Sequence, residues 1–267
     1  MTARSTWPQF RRKMDTVLVD KRQGYALLTL NDPDRRNVFT LAMNARLHEI
    51  FDDLEADESI NAVIITGAGK GFCSGGHLDE LLENPGPEGM RRIYAGFVRI
   101  AESRLATIAA VNGAAVGAGM NALLACDVVI AAESAKLDSR FLQIGLGPGG
   151  GHTWRLNNTV GLQATKAMVL FGEVLDGRRA AEIGLAWRCV ADDELIDAAE
   201  ELAIKAANAP RELLMATKDT IHNTLAITTS EDAIENELDT QVWSMGQPAF
   251  VDMVNALKSK IAGSDKT

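Results

Sequence analysis

Residues 112–125 read Asn-Gly-Ala-Ala-Val-Gly-Ala-Gly-Met-Asn-Ala-Leu-Leu-Ala. They follow the short apolar run Thr107–Val111 and lead into the apolar segment Asp127–Ala132. Small residues at Gly113, Ala114, Ala115, Gly117, Ala118 and Gly119 let other atoms approach the backbone closely. Met120–Ala125 then reads as the start of a buried helix. The first N–H groups of a helix have no partner within it, so they face whatever lies in front. A helix start reached through glycines is suited to holding a negative oxygen.

A second stretch follows the same logic. Ala62–Thr66 is a β-branched strand, broken by Gly67–Gly76 (Gly-Ala-Gly-Lys-Gly-Phe-Cys-Ser-Gly-Gly), and His77–Leu82 resumes as a helix. If the two glycine-rich turns face each other, one N–H from each can grip a carbonyl oxygen as it becomes an oxyanion. Removing one such donor typically costs roughly a hundred- to a thousand-fold in rate.

Working outward, Thr16–Val19 and Tyr25–Leu30 read as strands joined by a turn at Arg22–Gly24. Asn31–Asn37 is a loop, and Thr40 is the expected N-cap of a helix to Ala56. Strands then alternate with helices, each return passing through glycine, which predicts a parallel α/β arrangement. Glu83–Glu88 reads as a loop over the site, Arg91–Arg104 as a helix, and Lys136–Asp138 as a strand piece. Gly145–Gly151 is a glycine loop leading into a helix over Thr153–Phe171; Arg178–Ile183 is a short helix and Trp187–Val190 a strand. From Glu194 onward nearly everything is helical, so the chain divides into a core over 1–193 and a helical region over 194–267.

Four segments together resemble the crotonase superfamily, the enoyl-CoA hydratase/isomerase family. They are Phe72-Cys-Ser-Gly-Gly-His-Leu-Asp79, Ala109–Gly119, Cys126-Asp127 and Gly145–Leu156, in register from about Val17 to Val190. The resemblance implies a spiral of repeated β-β-α turns with a C-terminal helical region that packs on neighbouring subunits, giving trimers or pairs of trimers. It implies that the N–H groups of Gly76 and Ala118 form the oxyanion hole for an acyl-CoA thioester. It places CoA along Arg36, Val38, Gly76, His77 and Leu78, with Arg35 beside them, and the acyl group against Phe141 and Gly149. Coenzyme A enters as part of the substrate, with no tightly bound cofactor.

The family's hydratases use two glutamates to hold and deprotonate water. In register those positions are Asn121 and Phe141. Asn121 can orient water but cannot take its proton, and Phe141 can do neither. General acid–base help is worth about a hundred- to ten-thousand-fold per group, so simple water addition does not follow from the residues. Asp138 and His152 are candidate substitutes, set against a turn aspartate and an ordinary helix-start residue. An aspartate and histidine in this segment serve a diketone hydrolase among the relatives, which keeps a thioester or β-diketone hydrolase open. A non-catalytic acyl-CoA-binding protein is the other alternative.

Other readings are weaker. Gly117-Ala-Gly-Met-Asn-Ala122 fits a dinucleotide fingerprint, but too few residues precede the next strand for a crossover of about a dozen. Gly147–Gly151 lacks the Lys-Ser/Thr of a phosphate loop. Three scattered cysteines and four scattered histidines form no metal pattern and suggest a reducing, cytoplasmic setting. A net charge of −9 argues against nucleic acid or an anionic membrane as the main partner. No run approaches the roughly 18 apolar residues of a membrane span, and Met1–Lys13 lacks the apolar centre of a signal peptide.

Overall fold

The computed structural model describes residues 15–264, so Met1–Lys13 lies outside the described residues. The chain begins with a hairpin, β1 (Val17–Arg22) and β2 (Tyr25–Leu30), followed by helix α1 (Leu41–Ala56). The Thr40 hydroxyl accepts the Met43 N–H at 3.1 Å and caps α1 as expected. Three windings follow, each with one strand in each of two sheets. The first comprises β3 (Ala62–Gly67), β4 (Gly71–Cys73), α2 (Leu78–Glu83) and α3 (Pro87–Ala101). The second is β5 (Ala106–Val111), β6 (Ala114–Val116) and α4 (Ala118–Leu124). The third is β7 (Val128–Ala132), β8 (Lys136–Asp138) and α5 (His152–Leu170), the last interrupted at Gly161, where φ is 76°.

The elements β9 (Leu175–Asp176), α6 (Gly177–Glu182) and β10 (Arg188–Val190) close the two sheets. The larger runs β1-β2-β3-β5-β7-β10, parallel from β2 onward; the smaller runs β4-β6-β8-β9. This is the spiral that the resemblance implied. Two short strands were not expected: β4 and β6 lie within stretches that read as glycine turns. Helix α4 also starts at Ala118, two residues before the expected Met120.

Both faces of β3 are buried, as an interior parallel strand requires. Val63 and Ile65 face the main core with Phe72, Phe97 and Met120, whereas Ala62 and Ile64 face the other way. That second face is covered by Leu195, Ala199 and Ala203 of α7 (Leu195–Ala207). The helices α8 (Arg211–Asn223), α9 (Ser230–Met245) and α10 (Pro248–Ser264) follow. Cys126-Asp127 ties this end to the spiral, because the Asp127 carboxylate accepts the Thr107 N–H at 2.7 Å and the Lys218 ammonium at 2.7 Å.

The two glycine turns meet through side-chain amides and missing β-carbons. Asn112 accepts the Gly67 N–H at 3.1 Å and donates to the carbonyls of Gly67 and Gly69 at 2.8 and 3.0 Å. Asn37 donates to the carbonyls of Ala68 and Gly71 at 2.9 and 2.8 Å, tying in the Asn31–Asn37 loop. A β-carbon on Gly119 would lie 2.3 Å from the Cys73 carbonyl oxygen, and one on Gly113 would lie 2.2 Å from that of Lys70. Gly119→Ala should therefore destabilise the protein by more than about 2 kcal/mol, as overpacking against backbone does. Gly147→Ala, with open space and no left-handed φ, should be close to neutral. Thermal melts of the two variants check this.

Candidate active site

Gly75 and Gly117 shape the heart of the site. Gly75 has φ 113° and its missing β-carbon would lie 3.1 Å from the Val116 carbonyl, so the ends of β4 and β6 run side by side. Phe39 pairs with this segment: its N–H donates to the Gly75 carbonyl at 2.8 Å and its carbonyl accepts the His77 N–H at 2.9 Å. Backbone groups alternate along a strand, so the Gly76 N–H faces away from Phe39. Gly117, with φ 52°, turns the chain out of β6 and makes Ala118 the first residue of α4, whose N–H has no partner in its own helix. Gly76 and Ala118 line the same cleft, about 580 Å³ in volume, and neither N–H donates to another group among the described residues.

Arg35, Arg36, Val38, His77, Leu78 and Asp79 line one part of this cleft. Arg35 pairs with Asp32, while Arg36 has no ion pair among the described residues. Another part is apolar, formed by Met90, Ile93, Tyr94 and Phe97 of α3 with Phe141, Ile144, Leu146 and Gly149. Helix α3 is fixed to α1 by buried Arg99, which donates to Asp52 and Glu55 at 2.9 and 2.8 Å. The glycine loop needs its glycines because three neighbours crowd it. β-Carbons at Gly149, Gly150 and Gly151 would fall 2.2 Å from the Tyr94 hydroxyl, 2.5 Å from the Phe97 ring and 2.8 Å from the Arg155 guanidinium.

Asn121 lies one turn into α4, is buried, and lines the cleft. Its Nδ2 donates to the Gly149 carbonyl at 3.0 Å. The carbonyl can only accept, so Oδ1 points the other way, 2.9 Å from His152 Nδ1. His152 therefore carries its proton on Nδ1 and donates it to Asn121. Its Nε2 accepts the Ser139 hydroxyl at 3.0 Å. The ring is buried, edge-on to Phe141 at 4.8 Å, and burial together with the Arg155 charge brings its pKa from 6.5 down to about 4. Burial keeps the imidazole neutral, so Nε2 accepts from Ser139 while Nδ1 donates to Asn121.

His152 and Asp138 do not line the cleft. His152 stands behind Asn121 and Phe141. Asp138 is buried at the end of β8, where its carboxylate accepts from the Arg140 guanidinium and its carbonyl accepts the Gly117 N–H at 2.9 Å. Both residues thus support the wall, and Asp138 helps to fix the turn that presents Ala118. Glu80 is similarly occupied, accepting the Leu41 N–H at 2.8 Å. Sequence reasoning missed Tyr94, Phe97, Arg140 and Ser139. The first two lie on the amphipathic face of α3, whose apolar spacing marks a buried stripe without revealing that part of it borders a cavity. Ser139, buried beside Asp138, carries no sequence signal of its own.

The architecture and the paired turns define a crotonase-fold acyl-CoA enzyme. The chain belongs to the enoyl-CoA hydratase/isomerase family, whose model matches residues 20–248. It is 43% identical over 254 residues to a probable enoyl-CoA hydratase of Mycobacterium tuberculosis, covering 92% of this chain and 98% of that one. It is 37% identical over 236 residues to the 1,2-epoxyphenylacetyl-CoA isomerase of Escherichia coli K12, covering 86% and 87%. A crystal structure of enoyl-CoA hydratase from Bacillus anthracis superposes with a TM-score of 0.86 at 27% identity, over 92% of this chain and 97% of that one.

The buried histidine carries a stability prediction. Between pH 6.5 and pH 4 the unfolded chain takes up a proton at His152 that the folded protein refuses. This histidine should therefore cost up to about 3 kcal/mol of stability as pH falls through that window. The difference in denaturation free energy between wild type and His152→Gln, measured across the window, should shift in the variant's favour at low pH.

Proposed function

We propose that the cleft binds an acyl-CoA thioester with its carbonyl oxygen between the N–H groups of Gly76 and Ala118, and stabilises the enolate that forms there. The carrying observation is two backbone donors, free of internal partners, on one cleft. Arg36, Val38, His77 and Leu78 hold the coenzyme A portion, and Phe141 and Gly149 border the acyl group. Charge on the oxygen is met by amides already in position, so little reorganisation is needed as the enolate develops.

The reaction is of the lyase or isomerase kind and departs from paired-glutamate hydration. Asp79 is the sole carboxylate among the described cleft-lining residues, and it sits with the arginines and His77 rather than in the apolar part. Asn121 orients a bound group or water, held by His152, while Asp138 acts through the backbone of Gly117. The likeness to the 1,2-epoxyphenylacetyl-CoA isomerase supports this reading, and the likeness to probable enoyl-CoA hydratases supports the acyl-CoA substrate. A hydrolase using Asp138 and His152 would need them exposed to substrate, and neither lines the cleft. Self-association as a homotrimer or a dimer of trimers is supported by the exposed Ile234, Val242, Phe250, Met253 and Leu257 of α9 and α10.

Two measurements test the proposal. Hydration of crotonyl-CoA should run at least about a hundred-fold slower than by a two-glutamate family member assayed alongside; equal rates would contradict the departure from hydration. Ala118→Pro deletes one N–H at the first helical position, where proline is tolerated. It should lower turnover of the true substrate about a hundred- to a thousand-fold with little change in melting temperature. Unaltered turnover would remove Ala118 from the mechanism.

A further inference from the structure

The glycine segment before α5 stands between two cavities. Gly149 lines the cleft, whereas Arg155 lines a second cavity of about 1080 Å³ with Trp154 and with Glu102 from the end of α3. From that side Arg155 Nη1 donates to the Gly150 carbonyl at 2.7 Å, and no other donor reaches this carbonyl among the described residues. The guanidinium also lies against Gly151, where a β-carbon would be 2.8 Å from Nη1. On the opposite side, a β-carbon at Gly150 would be 2.5 Å from the Phe97 ring and 3.2 Å from Asn121 Nδ2. Gly150 and Gly151 both have left-handed backbone angles, with φ 68° and 82°. Arg155 is a costly choice for helix stability alone. It is half-buried near the start of α5, where the helix dipole disfavours a cation. Burial lowers its pKa, although the charge of Glu102 works the other way.

We propose that Arg155 is a positioning residue, which fixes the Gly149–Gly151 wall against Phe97 and Asn121 from outside the cleft. The inference rests on the acyl-CoA reading above and adds to it a residue that touches no substrate atom. Asn121 holds the Gly149 carbonyl from the inner side at 3.0 Å, and Arg155 holds that of Gly150 from the outer side. Two adjacent glycines offer little conformational resistance of their own. Without the guanidinium the Gly150 peptide can turn, and the wall loses its packing against the acyl group. The second cavity makes the position reachable, because it opens on the place that a truncated side chain would vacate.

The test measures binding of coenzyme A and of butanoyl-CoA to the intact protein by calorimetry, and reads the ratio of the two affinities. Wild type should prefer butanoyl-CoA at least about tenfold, because its alkyl chain is buried. Arg155→Ala should lower that preference at least about threefold and leave coenzyme A affinity unchanged, as lost packing at the acyl wall requires. Millimolar guanidinium chloride should restore the preference in Arg155→Ala, and an equal concentration of sodium chloride should not. General loosening of the fold would weaken both ligands and would not be relieved by guanidinium. If Arg155→Ala fails to fold, Arg155→Met, which keeps much of the stem and loses the donors, decides on the same ratio. An unchanged preference in the folded variant, or a lost one that guanidinium does not restore in Arg155→Ala, would overturn the positioning role while leaving thioester binding intact. A wild type that binds neither ligand would overturn the acyl-CoA reading and this assignment together.

Discussion

The first turn of α4 packs directly against the end of β4, where a β-carbon on Gly119 would lie 2.3 Å from the Cys73 carbonyl oxygen. This packing brings a helix start within van der Waals range of a neighbouring strand's carbonyl groups, and only residues without a β-carbon tolerate it. Gly119 against Cys73, Gly113 against Lys70 and Gly75 against Val116 meet that constraint at three consecutive points. Asn112 and Asn37 then fasten the turn after β3, so neither loop can relax away from the other. The two backbone N–H groups on the cleft follow from this packing. Their geometry belongs to the scaffold, held by close backbone packing and by the Asn37 and Asn112 amides.

A backbone site of this kind explains how the chemistry can vary while the fold stays constant. The groups proposed to polarise the carbonyl are written into chain conformation, whereas the groups that would handle protons are side chains on the surrounding wall. In this protein the apolar part of the wall is amide, phenol and hydrocarbon. His152 is buried behind it and kept neutral, and Asp138 is paired with Arg140. The polar network Ser139–His152–Asn121 is satisfied at each link, so its effect is to fix one amide direction.

Much of the architecture was legible because glycine and strand periodicity carry it. The β-branched run Ala62–Thr66, the Thr40 cap and the alternation of strands with glycine returns led to the correct class of fold. The short strands β4 and β6 were not legible: three residues show no period, and their pairing is decided by packing across the spiral. For the same reason the start of α4 was placed two residues late, since Gly117 and Ala118 differ from their neighbours in backbone angle and hardly at all in composition. Within the site, Gly76, Ala118, Asn121, Phe141 and Gly149 could be named from motif register. Tyr94 and Ser139 could not, because what matters about them is which cavity or buried nitrogen they meet, and that is settled by helices distant in sequence.

In the proposed mechanism the amides of Gly76 and Ala118 polarise a thioester carbonyl. Isotope-edited infrared difference spectroscopy of bound butanoyl-CoA, labelled with carbon-13 at the thioester carbon, reads that carbonyl directly. Two hydrogen bonds to its oxygen should move the stretching band to lower frequency than in the free ligand, and Ala118→Pro should return it part of the way. A fully bound ligand whose carbonyl band coincides with that in water would contradict the account.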